Sequence, residues 1–272
     1  MPRHDAQGVL AHRVAGARCA LVALLLIAPS IALAAKLPDS VKTTDPLRSP
    51  AWDAMVARHL DGGPVEFDER VQVTVPPTAE DALAVPVEVR VDDTLTGVEE
   101  LRLIADLNPI PLILSYRPTR ADPFISFRFK VEQSTPVRAA ARTKDGVWHV
   151  GGAWLSAAGG GCTAPSHGTG EGMWRDQLNQ VSGGLWARGE DRSRLKLRVM
   201  HPMDTGLAAG IPVFHIESLR VLDAKGQELA LIKTYEPLSE NPVLSFELKH
   251  RGPVRIEGRD IQGNLIQARV GP

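Results

Sequence analysis

The residues best placed to do chemistry are Gly159-Gly160-Gly161-Cys162. Free cysteines are usually buried among large apolar side chains, and Cys162 has none close by in sequence. Ser156-Ala157-Ala158 come before the glycines, and Thr163-Ala164-Pro165-Ser166-His167-Gly168-Thr169-Gly170 follow the cysteine. Glycine loosens the backbone, so the composition predicts an exposed, poorly ordered arm from Ser156 to Trp174 with a thiol on it. The thiolate is the nucleophilic form, and an ordinary pKa of ~8.5 leaves a few per cent of it at neutral pH. It can attack a disulfide-like sulfur or be oxidised onto a sulfur donor, giving a persulfide or an S-thiosulfonate. His167 is a candidate modulator of the thiol, the alternative being a solvated loop histidine. Nothing near Cys162 completes a nucleophile–base–acid set. The pattern is that of a carrier and not an enzyme, with the catalysis in its partners.

Other candidates are weaker. Met173, Met200, His201, Met203 and His215 offer donors that could join Cys162 around copper, but their spacing matches no closed metal motif. Neither a metal nor another cofactor is expected. His201-Pro202-Met203 reads as a turn at a domain interface near the arm. Asp92-Asp93 and Glu99-Glu100 read as solvated carboxylates, and Trp148 and Trp154 as packing around the strand that launches the arm. The sequence contains no phosphate loop, Rossmann fingerprint, HExxH or CxxC.

The N-terminus sets the compartment. Arg13 and Arg18 precede an apolar run from Ala20 to Ala28, and Ala32-Leu33-Ala34 supplies an A-x-A pattern. This is the pattern of a secretory signal peptide over 1–34; the run is shorter than the ~18–20 residues of a membrane span. Cys19 leaves with the leader, no membrane span remains after its removal, and the destination is a bacterial periplasm. One leftover cysteine in an exported chain points to a reactive thiol or intermolecular pairing, including a disulfide-linked homodimer. The whole chain has a net charge of −1, which excludes the basic surface that nucleic acid demands.

The elements that must position the thiol read as β. Residues 35–64 form a lead-in with a short helical stretch, Ala51 to Leu60. Val71, Val73 and Val75 alternate with polar residues, as do Val85, Val87, Val89 and Val91. Leu101, Leu103 and Ala105 continue the pattern. Ile125, Phe127, Phe129 and Val131 face one way, and Ser126, Arg128, Lys130 and Glu132 the other. Period-2 alternation places one face on a core, and short strands between turn signals such as Asn108-Pro109 and Asp145-Gly146 indicate sandwiches.

The chain also repeats itself. Phe124-Ile125-Ser126-Phe127-Arg128-Phe129-Lys130 matches Val243-Leu244-Ser245-Phe246-Glu247-Leu248-Lys249, and Pro136-Val137-Arg138 matches Pro253-Val254-Arg255. The reading is all-β: two immunoglobulin-like β-sandwich domains, 65–156 and 186–272, joined by a Gly-rich cysteine arm and linker over 157–185.

At these residues the chain resembles a known pair of families. The first domain is similar to SoxY in Val85-Pro86-Val87, Asn108-Pro109-Ile110-Pro111, Ser134-Thr135-Pro136-Val137 and Gly160-Gly161-Cys162. The second is similar to SoxZ in His201-Pro202-Met203-Asp204-Thr205-Gly206, Phe214-His215-Ile216-Glu217 and Ser239-Glu240-Asn241-Pro242. The resemblance implies immunoglobulin-like folds and a periplasmic carrier that holds sulfur species on Cys162. It implies enzymes or cytochromes of sulfur oxidation as partners. A single-chain form resembles the SoxYZ-like carriers associated with quinoprotein dehydrogenases. The alternative is a non-catalytic adaptor docking on such a dehydrogenase or a cytochrome. The family arm ends its chain after two further glycines; here Thr163-Ala164-Pro165 follow and the chain continues.

Overall fold

A computed structural model of the chain describes residues 44–167 and 176–271. The leader over 1–34, the start of the lead-in, Met173 and the later part of the expected arm lie outside the described residues.

The first copy holds β2 (Val71–Thr74), β3 (Val85–Val91), β4 (Val98–Ala105), β5 (Leu112–Arg117), β6 (Ala121–Phe129), β7 (Thr135–Thr143) and β8 (Trp148–Leu155). The second holds β9 (Val181–Ala187), β10 (Ser193–Val199), β11 (Ile216–Leu222), β12 (Glu228–Thr234), β13 (Val243–Leu248), β14 (Val254–Asp260) and β15 (Leu265–Val270). Sequence alternation becomes layering. In β3 the four valines are buried and Pro86, Glu88 and Arg90 are exposed. β6 buries Ile125, Phe127 and Phe129, and β13 buries Leu244, Phe246 and Leu248. Each such side chain stabilises the fold by about 1.5–3 kcal/mol.

Each copy is an immunoglobulin-like sandwich of three strands on four, and the copies join edge to edge in both layers. One sheet runs β2-β3-β6-β13-β10-β9; the other runs β8-β7-β4-β5-β12-β11-β14-β15, with β1 (Val65–Phe67) added in parallel outside β8. Apart from β1, each order mirrors itself about its centre. Ser126 pairs with Ser245 across β6 and β13, and these are the two serines that the repeat equates. A pseudo-two-fold axis therefore passes between them, and one apolar core runs through both copies, from Val87 and Phe127 to Leu197 and Phe246.

The lead-in helix α1 (Trp52–His59) covers the outer face of the larger sheet. Its Trp52 and Met55, with Leu60, pack on Phe67, Trp148 and Val150. Arg138 lies buried beneath Trp52, 4.2 Å from the ring centroid, and donates to Asp106 at 2.9 Å and Asp45 at 2.8 Å. Trp154, by contrast, is 46% exposed. No helix among the described residues is long and apolar enough to cross a membrane.

Candidate functional site

Beyond β8 the chain keeps close to the first copy. Ser156 accepts from the amide of Ala79 at 2.8 Å and donates its own to Pro77 at 3.0 Å, and the Ala157 amide donates to the Ser134 hydroxyl at 3.0 Å. The three glycines then cross the end of β6. The Gly161 amide donates to the Val131 carbonyl at 2.9 Å. A Cβ on Gly161 would lie 2.0 Å from the Ala82 oxygen, and one on Gly159 2.2 Å from the Glu132 oxygen. Gly159 and Gly160 also adopt φ of +99° and +88°, where side chains are disfavoured. The glycines thus serve close approach and backbone handedness here, which corrects the reading of them as loosening the chain.

The expected exposed thiol is corrected too. Cys162 is wholly buried. Its Sγ rests 3.5 Å from the Lys130 carbonyl. Its amide donates to a Glu132 carboxylate oxygen at 3.0 Å, and the Thr163 amide to the same oxygen at 3.1 Å. The second copy closes the other side, where the Thr205 hydroxyl donates to the Cys162 carbonyl at 2.6 Å. Further along, the Ser166 amide donates to Asp204 at 3.2 Å. Composition could not show this, because the apolar and polar groups that bury the thiol come from other strands.

Lys130 links the copies. It is 1% exposed, and its Nζ donates to the Met203 carbonyl at 2.6 Å. Met203 holds a left-handed φ of 53°, an uncommon and strained state for a side-chain-bearing residue. The Met203 amide donates to His201 Nδ1 at 3.0 Å, and its Sδ accepts from the Ile216 amide at 3.4 Å. The string His201-Pro202-Met203-Asp204-Thr205 thus forms the dock for the cysteine segment. His201 stands one layer behind it, its ring 4.4 Å from that of Phe214.

Electrostatics keep the docked thiol inert. Burial pushes it up to about 12, the Glu132 charge adds to the push, and Lys130 opposes it. At pH 7 about one molecule in 10⁵ would then be thiolate. The same burial pulls the Lys130 ammonium down, against the charges of Asp204, Cys162 and Glu240. Burial also lowers His201 to about 4, with Asp260 opposing. His167 is not part of the thiol's surroundings: its amide donates to Glu240 at 2.8 Å, and its ring lies 3.6 Å from the same carboxylate and is 80% exposed.

Sequence reasoning singled out Cys162, the glycines, His201 and Met203, and the structure brings Cys162, the glycines and Met203 together. It missed Lys130, Glu132, Asp204 and Thr205. The signal for Asp204 and Thr205 was their place in the same string as Met203; Lys130 and Glu132 follow β6 and continue its alternation in sequence, but the burial of Lys130 corrects its expected place on the water-facing side. Of the soft donors considered for copper, the Met203 sulfur and His201 Nδ1 are engaged within the chain, as is His215 Nδ1, 2.6 Å from the Ile216 carbonyl. Among the described residues Glu66, Asp68 and His149 are close enough to hold a cation, but Asp68 already accepts three hydrogen bonds from the Arg70 side chain, at 2.9, 3.0 and 2.5 Å.

Two joined sandwiches around one sheltered thiol define a thiol-bearing β-sandwich scaffold. The family models agree on both copies: residues 57–162 match SoxY, the sulfur oxidation protein SoxY, and residues 187–270 match SoxZ, the sulphur oxidation protein SoxZ. The chain belongs to the SoxY and SoxZ families and joins both in one polypeptide, as a fused SoxYZ-like carrier of sulfur oxidation. Among solved structures it is similar to the sulfur carrier protein SoxY from Chlorobium limicola f thiosulfatophilum. The two are 19% identical; the match covers 39% of this chain and 90% of that one, with a TM-score of 0.35. No curated protein matches the chain.

Proposed function

We propose that this chain carries a sulfur species covalently on Cys162 in the periplasm and presents it to enzymes or cytochromes of sulfur oxidation. The observation that carries the reading is a coincidence at one residue. The SoxY match ends on Cys162, and Cys162 is the residue held by groups from both copies. Loading requires the segment to leave its dock, since the buried thiol is neither ionised nor reachable. The released thiol regains ordinary acidity. Exchange with a disulfide-like donor then transfers sulfur and expels a thiolate. Joining the thiol to thiosulfate instead releases two electrons, which a partner redox protein must accept. A disulfide-linked homodimer likewise requires release first.

Burial of the thiol also supports a second reading, in which Cys162 is structural and the paired sandwiches are an adaptor for a quinoprotein dehydrogenase or cytochrome. Cys162→Ser separates the two. Serine approximates the shape, but its hydroxyl gives no comparable nucleophile and no sulfur–sulfur bond. For a carrier, intact-mass spectrometry of protein from the native periplasm shows sulfur adducts on the Cys162 peptide, and the variant shows none and supports no oxidation flux. Full flux with Cys162→Ser leaves the adaptor reading standing.

A further inference from the structure

Beside the docked cysteine segment lies a cleft of about 490 Å³ on the outer face of the six-stranded sheet. Arg128 of β6 and Arg198 of β10 line it, with Ser239, His167, Glu240 and Asp81. The two arginines flank β13 on one row: Arg198 is in register with Val243, and the Arg128 carbonyl accepts from the Ser239 amide at 3.0 Å.

These arginines differ from their neighbours. The strands of this sheet hold four arginines. Arg90 pairs with Glu88 at 3.8 Å and Arg194 pairs with Glu247; both also stack on Phe124. Arg128 and Arg198 have no carboxylate partner among the described residues. The two carboxylates that also line the cleft, Asp81 and Glu240, form no ion pair with either arginine and are held by backbone amides of the cleft's own rim. Asp81 accepts from the Leu83 amide at 2.8 Å, and Glu240 from the His167 amide at 2.8 Å. The Ser239 hydroxyl makes no hydrogen bond among the described residues, leaving a neutral donor beside two planar, permanently charged ones. Such a set matches a tetrahedral oxyanion.

The cleft is also within reach of the thiol. Two residues of strand, about 7 Å, separate Arg128 from the Lys130 carbonyl on which Sγ rests. His167 lines the cleft and is held on Glu240, and the five residues from it to Cys162 span at most about 17 Å. The docked pocket itself cannot take an anionic group, because Cys162 is fully buried and Glu132 faces it. Resting on the carrier reading, we propose that this cleft is an oxyanion subsite: Arg128 and Arg198 hold the sulfonate-like end of a group carried on Cys162 once the segment is released.

Sulfate, which does not react with thiols, is the first probe. It is titrated into the full chain at constant ionic strength and followed by NMR of the arginine side chains. Saturable binding at Arg128 and Arg198 is expected, weakened at least tenfold in Arg128→Gln/Arg198→Gln and less than twofold in Arg90→Gln. Absence of saturation, or equal loss in Arg90→Gln, overturns the subsite. The second arm identifies the source of the oxyanion. Tetrathionate transfers S–SO₃⁻ to the Cys162 thiolate and expels thiosulfate, and intact mass verifies the product. Sulfate affinity should then fall at least tenfold, because the carried group occupies the cleft. Undiminished sulfate binding on the loaded chain overturns its assignment to the cargo. Failure of the carrier reading shows up separately, as an unmodified Cys162 in protein from the native periplasm.

Discussion

Lys130 and Lys249 hold the same place in the two copies, each at the end of the repeated strand that starts Phe124-Ile125-Ser126 in one and Val243-Leu244-Ser245 in the other. Lys249 is half exposed and reaches Asp122 of the first copy at 3.3 Å. Lys130 is 1% exposed, bound to the Met203 carbonyl and adjoining the cysteine segment. The two strands share their pattern and the Ser, Phe and Lys at matching places; what differs most is the segment that crosses one strand end and the turn that meets it. The difference is one of tertiary packing, and breaking the dock should make Lys130 resemble Lys249.

The largest effect is expected from Gly161→Ala. The added methyl would lie 2.0 Å from the Ala82 oxygen and 2.7 Å from that of Val131, both backbone atoms that cannot swing aside. The segment should undock, with maleimide labelling of Cys162 rising about a thousandfold while the sandwich circular dichroism holds. Gly160→Ala meets no atom within 4 Å but sits at φ +88°, so its strain of about 1–2 kcal/mol should raise labelling only some tenfold. Equal labelling in both variants and the wild type would break the comparison.

Acid should act next. His201 supports Met203, the residue that holds Lys130. Its folded pKa of about 4 lies below the ordinary 6.5. The unfolded chain therefore binds the proton first as pH falls. Stability conferred by neutral His201 is intact above 6.5 and declines between 6.5 and 4, by about 3 kcal/mol in all. Urea titrations across that window should show this slope and lose it in His201→Gln; an unchanged slope in the variant assigns the effect elsewhere.

The thiol gives the opposite window. Its folded pKa of about 12 stands well above that of a free thiol, so the docked state holds its full stability below the free thiol's pKa and loses about 1.4 kcal/mol per pH unit from there towards 12. Cys162 labelling should climb tenfold per pH unit through pH 10, where a free thiol levels off. A plateau near 9 would mean the segment is already undocked.

The lysines themselves come last. Lys130→Ala leaves a buried carbonyl without its donor and a cavity, at a cost of about 2 kcal/mol. Lys249→Ala removes a half-exposed ion pair and should cost under about 1 kcal/mol. Thermal melts of the two variants sharpen the contrast; equal losses would remove it.

The fold was legible because its signals are local. The valines of β3, the aromatic face of β6 and its echo in β13 each specify a strand and a buried side from neighbours in sequence. The joining of the copies was not legible, since nothing in Ser126 or Ser245 says that they face each other. The site divides in the same way. Cys162, its glycines and the His201–Met203 turn stood out as residue types in unusual company. That Gly161 presses on Ala82, or that Thr205 reaches the Cys162 carbonyl, depends on atoms from strands far apart along the chain. Composition therefore predicted motion where packing supplies order.

The continuous sheets have one more consequence. Each copy, made alone, would present two raw sheet edges, β5 and β6 in the first and β12 and β13 in the second. Unpaired edges invite pairing with any other exposed strand, including that of an identical molecule. Housing both copies in one chain keeps each edge near its proper mate at a high effective concentration, so the join guards the protein against aggregation as well as completing the dock.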